Sequence, residues 1–91
     1  MVLNDLYQTI LDRKTNPKPG SYTNELFTAG LPRLAQKVGE EAVEALVAAL
    51  AQDRARLVEE IADLAYHVLV LMAEKGIAPA DVAAELEKRR R

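Results

Sequence analysis

From Leu64 to Ala73 the chain is apolar or aromatic at every position except His67. The segment sits inside a longer helical pattern running from Arg54 to about Lys75, with Asp53 as its N-cap and Gly76 as its stop. Leu57, Ile61, Leu64, Val68 and Leu71 recur at alternating spacings of four and three, and Leu69 with Met72 widens that stripe. A helix of this kind has little face to offer water and must be enclosed on several sides. Ninety-one residues supply few helices to enclose it. The expected architecture is therefore all-α, a bundle of four to five helices whose core is completed by homo-oligomerisation, with a homodimer as the expected partner arrangement.

The rest of the chain reads as helices separated by strong breakers. Leu3, Leu6, Tyr7, Ile10 and Leu11 predict a first amphipathic helix over about 3–14. Thr15-Asn16-Pro17-Lys18-Pro19-Gly20 is a loop, because two prolines and a glycine cannot continue it. Ser21 or Thr23 caps a short second helix that buries Leu26 and Phe27 and stops at Gly30. Pro32 opens a third, to about Ala51, with Leu34, Val38, Val43, Leu46, Val47 and Leu50 as its apolar positions. Gly39 interrupts that helix at a cost of about 1 kcal/mol relative to alanine, which implies close packing or close approach of a ligand. A last helix begins at Pro79, with Val82, Ala83 and Leu86 facing inward. Residues 1–91 are read as one domain.

Composition narrows the function classes. There are no cysteines, so disulfides and thiolate metal sites are excluded. The start Met1-Val2-Leu3-Asn4-Asp5 lacks the pattern of a signal peptide, and the longest apolar stretch, Val68 to Ala73, is too short to span a bilayer. A soluble, cytoplasmic protein without a membrane partner is expected. A net charge of −2 and four scattered aromatics give nucleic acid no evident handle. The terminal run Lys88-Arg89-Arg90-Arg91 is read as basic residues closing a helix and complementing its dipole.

Chemistry is concentrated in two acidic clusters, Glu40-Glu41-x-x-Glu44 and Glu60-x-x-Asp63, each inside an apolar helical segment. Residues three apart on a helix lie about 60° apart around it and roughly 4.5 Å apart along it. Glu41 with Glu44, and Glu60 with Asp63, can each form a close pair, and apposing the two helices would gather four or five carboxylates. Like charges so placed repel, or take up protons, unless something positive lies between them. Oxygen-only ligands suit Mg²⁺, with Mn²⁺ as a substitute, and those ions suit phosphate chemistry. Residues 37–63 carry a local charge of −4, so an anionic substrate would need such a cation as a bridge.

Taken together, Lys37-x-Gly39-Glu40-Glu41-x-x-Glu44 and Glu60-x-x-Asp63-x-x-Tyr66-His67 closely resemble the phosphoribosyl-ATP pyrophosphatase family, part of the all-α (MazG-like) nucleotide pyrophosphohydrolase superfamily. The acidic elements are common to that superfamily. Ser21-Tyr22-Thr23, followed by Leu26-Phe27 and Gly30, and the stretch Ala62 to Val70 resemble signatures of this particular family. The resemblance runs the length of the chain. It implies Mg²⁺-dependent hydrolysis of phosphoribosyl-ATP to phosphoribosyl-AMP and pyrophosphate, the second step of histidine biosynthesis. It also implies a monofunctional version of an activity often fused to the cyclohydrolase of the next step.

Carried over by position, Glu41, Glu44, Glu60 and Asp63 resemble the metal ligands, with Glu40 beside them as a further ligand or a base. Lys37 and Arg33, each a turn apart on the same helix, are candidates to contact phosphate. Lys37 also has the spacing of a simple ion pair with Glu41. Ser21 and Thr23 offer hydroxyls and N–H groups at a helix start, where anions are favoured, or else act as plain caps. His67 is a core histidine donating a hydrogen bond, or a residue holding Asp63 in place from one turn away. Tyr66 packs nearby. Two other readings stand beside this one: a general NTP or dUTP-type pyrophosphohydrolase, and a non-catalytic helical dimerisation module.

Overall fold

Five helices, in chain order, make up the computed structural model, which describes residues 2–90: α1 (Val2–Thr15), α2 (Tyr22–Ala29), α3 (Leu31–Ala51), α4 (Arg54–Glu74) and α5 (Pro79–Lys88). No strand occurs among the described residues. Local chemistry sets the boundaries. Ser21 caps α2, its hydroxyl accepting the Asn24 N–H at 3.3 Å, and Asp53 caps α4, accepting the Arg56 N–H at 2.9 Å. Gly30 has φ 93° and both ends α2 and begins α3. That conformation is costly for any residue with a Cβ, so the sharp corner between the two helices depends on the glycine.

The core gathers at one end of the molecule. Tyr7 and Ile10 of α1, Leu26 of α2, Leu34 of α3 and Leu69, Val70 and Ala73 of α4 are buried against one another. Polar ties close this end. The Tyr7 hydroxyl donates to the Ile77 carbonyl at 2.7 Å. Lys14 donates to the Ala73 carbonyl at 3.3 Å, placing a cation at the C-terminal end of α4 where the helix dipole favours it. Asn24 holds the 16–21 loop by accepting from the Lys18 N–H and donating to the Arg13 carbonyl.

Beyond the core, α3 and α4 continue as an antiparallel hairpin joined through Gln52 and Asp53. Ala45 and Ala48 are buried where the two helices meet. The outer flanks of this arm are apolar and uncovered. Leu46 is 64% and Leu50 89% exposed, and Val43, Val47, Val58 and Ile61 are exposed with them. The radius of gyration is 14.2 Å, against about 12 Å for a compact domain of this length.

Expectations change on α5 and at Gly39, while the apolar arm stays open in the single chain. The α3 positions Val43, Leu46, Val47 and Leu50 do not enter the core of this chain, and of the α4 stripe Ile61 is exposed and Leu57 half-buried, whereas Leu71 packs against the core. The buried line on α4 runs instead through Glu60, His67, Val70 and Ala73. On α5, Val82, Ala83 and Leu86 are exposed and the helix buries no residue. It lies over α1 and α4 with an open apolar groove between them. Gly39 is exposed, and a Cβ built there meets nothing within 4 Å. It serves no close packing within this chain.

Among the described residues, no helix is long and apolar enough to cross a membrane. The basic end of α5 pairs with its own acids, Arg89 with Glu85 at 3.1 Å and Arg90 with Glu87 at 3.4 Å. Arg91, the last residue of that run, lies outside the described residues.

The packing predicts opposite signs for two substitutions on α3. Leu34→Ala, at a fully buried position, should lower the unfolding free energy by about 2–5 kcal/mol. Gly39→Ala should raise it by about 1 kcal/mol, because the alanine removes backbone entropy and meets no neighbour. Urea unfolding of both variants against wild type checks the pair.

Candidate active site

Midway along the α3–α4 hairpin, Glu41 on one helix faces Glu60 and Asp63 on the other. One carboxylate oxygen from each lies within 4.8 Å of the other two. Glu41 is 7% and Glu60 2% exposed, while Asp63 is open to solvent. Two buried carboxylates at this range repel strongly unless cations stand near them.

Each has one cation, supplied from its own helix four residues earlier. Lys37 lies 3.5 Å from Glu41 Oε1, and Arg56 lies 2.6 Å from Glu60 Oε1. The second oxygens, Glu41 Oε2 and Glu60 Oε2, are buried and have no hydrogen-bond partner. Buried acceptors without partners are rare, and a buried anionic one is costly. Together with Asp63, these two carboxylates form a set of hard oxygen donors that fits a divalent cation.

The other expected residues divide around this centre. Glu44 is exposed and lines, with Glu60, Arg56, Val43, Val47 and Gln52, a recess of about 230 Å³ beside the cluster. Glu40 points along the outer side of α3, accepting from Gln36 at 3.1 Å and lying 3.7 Å from Lys37 and 3.9 Å from Arg33. Arg33 and Lys37 therefore do form a cationic edge to the site. Desolvation alone would pull the Lys37 ammonium down, but the Tyr22 hydroxyl with Glu41 and Glu40 more than offsets it, and its pKa stands above the usual lysine value.

The Ser21–Thr23 segment joins the site through a different set of atoms from those expected. The Ser21 hydroxyl is engaged as a helix cap, and the Thr23 hydroxyl is hydrogen-bonded to the Tyr66 hydroxyl. Tyr22, between them, has its hydroxyl 2.9 Å from His67 Nε2. His67 donates its Nδ1–H to the Asp63 backbone carbonyl at 2.7 Å, which leaves Nε2 of the neutral ring to accept from Tyr22. His67 thus holds the Asp63 main chain, not its carboxylate. Tyr22 and Tyr66 are stacked, ring centres 6.1 Å apart, and His67 meets both edge-on.

Two members of the site went unassigned from sequence. Arg56 carried a usable signal, since it precedes Glu60 by the same four residues that separate Lys37 from Glu41. Tyr22 carried none beyond its place in the Ser-Tyr-Thr signature, because its partner is 45 residues away.

The helical hairpin, the inward-facing carboxylates and the flanking cations define an all-α protein with a candidate divalent-cation centre. Comparison with known proteins narrows this class. The model of the family described as phosphoribosyl-ATP pyrophosphohydrolase matches residues 3–90. A phosphoribosyl-ATP pyrophosphatase of Saccharolobus solfataricus is 50% identical over 90 residues, covering 99% of this chain and 96% of the relative. Another of that name, from Listeria monocytogenes, is 53% identical over 88 residues, covering 97% and 84%. The chain belongs to the phosphoribosyl-ATP pyrophosphohydrolase family.

Burial raises the Tyr66 phenol above its ordinary value of 10.0, outweighing the opposing hydrogen bond from Thr23, and the nearby Tyr22 adds to the rise. The folded state therefore keeps a proton that the unfolded chain gives up. Stability linked to Tyr66 is whole below pH 10.0 and declines as pH rises toward the folded value. Urea midpoints across the alkaline range should fall for wild type, and Tyr66→Phe should flatten that part of the decline.

Proposed function

We propose that this protein hydrolyses phosphoribosyl-ATP to phosphoribosyl-AMP and pyrophosphate, with Mg²⁺ as its cofactor, as the second step of histidine biosynthesis in the cytoplasm. One observation carries the site: Glu41 and Glu60, each with a buried, unpartnered oxygen, converge with Asp63 in a chain matched by the family over residues 3–90. Glu41, Glu60 and Asp63 would hold the cation, with Glu44 joining from the adjoining recess. When bound, Mg²⁺ supplies charge neutralisation for the triphosphate and acidifies water; Mn²⁺ serves the same donor set.

The chain's own groups do the rest. Lys37 and Arg33 hold triphosphate oxygens along the outer edge of α3 and offset charge on the departing pyrophosphate. Ser21 caps α2, and Thr23 ties its first turn to Tyr66 of α4. Glu40 or Glu44, outside the tight cluster, accepts the proton of the attacking water. The α–β anhydride breaks, and pyrophosphate leaves intact. His67 and Tyr66 hold the α4 turn that carries Asp63. The family match favours phosphoribosyl-ATP over ordinary NTPs as substrate.

The apolar arm supports a homodimer. Val43, Leu46, Val47 and Leu50 of α3 with Val58 and Ile61 of α4 make an uncovered flank on both helices that carry the carboxylates. An exposed patch of this kind marks an interaction surface, and a second copy supplies a matching face by two-fold symmetry. The wild-type chain should sediment as a dimer, and a Leu46→Glu/Ile61→Glu pair should sediment as a helical monomer.

Pyrophosphate release, with phosphoribosyl-ATP offered alongside ATP and dUTP, tests the reaction. Strong preference for phosphoribosyl-ATP is expected, with activity lost to EDTA and restored by Mg²⁺ or Mn²⁺. Glu41→Gln and Asp63→Asn should each lower turnover by more than about 100-fold, the upper end for residues that merely support a ligand, and leave helicity intact. Activity in the double variant would overturn the carboxylate assignment.

A further inference from the structure

Four aromatic side chains are present, and three are engaged by the fold. Tyr7 is buried in the core, Phe27 is half-buried under the Lys14 ammonium, and Tyr66 is half-buried with its hydroxyl on Thr23. Tyr22 differs. It is the first residue of α2 and is 45% exposed, yet its ring is not free to turn away. Its hydroxyl is tied to His67 Nε2 at 2.9 Å, Tyr66 stacks against it with 25° between the ring planes, and the His67 ring meets it edge-on. An aromatic ring held at its far end, backed by a second ring and still open to solvent is preorganised to take a flat partner.

Its position relates it to the acidic centre. Two hydrogen bonds in series, its own to His67 and that of His67 to the Asp63 carbonyl, tie it to the α4 turn that carries Asp63. The exposed ring therefore borders the turn that presents one of the clustered carboxylates. It stands on α2, whereas the apolar flank assigned to the dimer is on α3 and α4. A nucleotide anchored by its phosphates at the carboxylates and Lys37 must place its base to one side, and among the described residues this is the exposed aromatic surface adjoining that anchor.

We propose that Tyr22 is the stacking platform for the purine ring of the substrate and so a specificity-determining residue of the site. The proposal rests on the nucleotide reading given above and extends it to the base. Stacking on one aromatic side chain changes binding by roughly ten-fold or more on removal. Because the base lies away from the bond that breaks, the loss belongs in KM.

Two measurements test this. In the first, AMP with Mg²⁺ is added to the wild-type protein and followed by NMR. The purine H2 and H8 signals should move upfield and the Tyr22 ring signals should move with them. Tyr22→Phe should keep the purine shift and Tyr22→Leu should remove it. In the second, Tyr22→Leu should raise KM for phosphoribosyl-ATP by roughly ten-fold or more, with a far smaller change in kcat, while Tyr22→Phe stays near wild type. Equal defects in the Phe and Leu variants, or a fall in kcat at constant KM, would place the role in the hydroxyl bond to His67 and overturn the proposal. Unmoved purine and Tyr22 signals in the wild type would overturn it as well, even if Tyr22→Leu fails to fold. A wild-type protein that shows the AMP shifts but no turnover of phosphoribosyl-ATP would refute the assigned reaction and uphold the stack.

Discussion

Burying two carboxylates face to face is the constraint around which this small fold is arranged. Glu41 and Glu60 sit on opposite helices of one hairpin, both nearly inaccessible, within reach of each other and of Asp63. Desolvating an ionised carboxylate costs several kcal/mol even after relaxation, and a like charge alongside adds to it. The helices are nonetheless drawn together at this level, because Ala45 and Ala48 let them approach closely and Gln52-Asp53 allows no slack at the turn. The core at the other end, from Tyr7 and Ile10 through Leu34 to Val70, supplies the cohesion that the acidic level lacks. Packing at one end thus enforces an electrostatic conflict midway along the hairpin.

The same division explains why α4 can be apolar nearly all round. Leu69, Val70 and Ala73 serve the core shared with α1 and α2, while Val58 and Ile61 face outward on the arm. A single periodic stripe could not meet both demands, since the two surfaces lie on different sides and at different ends of the helix. Each surface uses the residues that the other leaves free. On α5, by contrast, a well-formed amphipathic pattern covers little: the helix rests over α1 and α4 and leaves Val82 and Leu86 exposed.

These features fix what could be read from the sequence. Helix limits were legible because they depend on neighbours in the chain: Ser21 and Asp53 cap, Gly30 and Gly76 stop, Pro32 and Pro79 start. Which face turns inward was not, because periodicity needs contrast and α4 offers almost none around His67. Glu60 and His67 take inward positions that hydropathy assigns to Leu57 and Ile61. Glu41, Glu60 and Asp63 were legible as candidates because acidic motifs on apolar helices have few ways to avoid each other, although of the two pairs three apart Glu60 and Asp63 alone stay together in the cluster. Glu40 and Glu44 share the same motif but fall to either side of the cluster, a rotation that depends on how α3 seats on α4. The Tyr22–His67 contact spans two helices remote in sequence and is a product of the tertiary fold alone.

The order of charges within each ion pair bears on what the site is for. In both, the cation precedes the acid, Lys37 before Glu41 and Arg56 before Glu60. That is the less favourable orientation for stabilising an isolated helix, where the acid belongs on the N-terminal side. Helix stability therefore gives little reason for either pair. Balance at the cluster gives a better one. Glu41, Glu60 and Asp63 against Lys37 and Arg56 leave one net negative charge, and Glu44 in the adjoining recess makes it two, which repels an anionic ligand. A divalent cation held by these carboxylates would cancel that charge, at a place where low solvent access strengthens every interaction. With neither basic residue, the four carboxylates and one divalent ion would still carry two negative charges, and the proposed triphosphate would meet repulsion even at the loaded site. Lys37 and Arg56 would thus set how far a single metal ion relieves the repulsion between this pocket and phosphate.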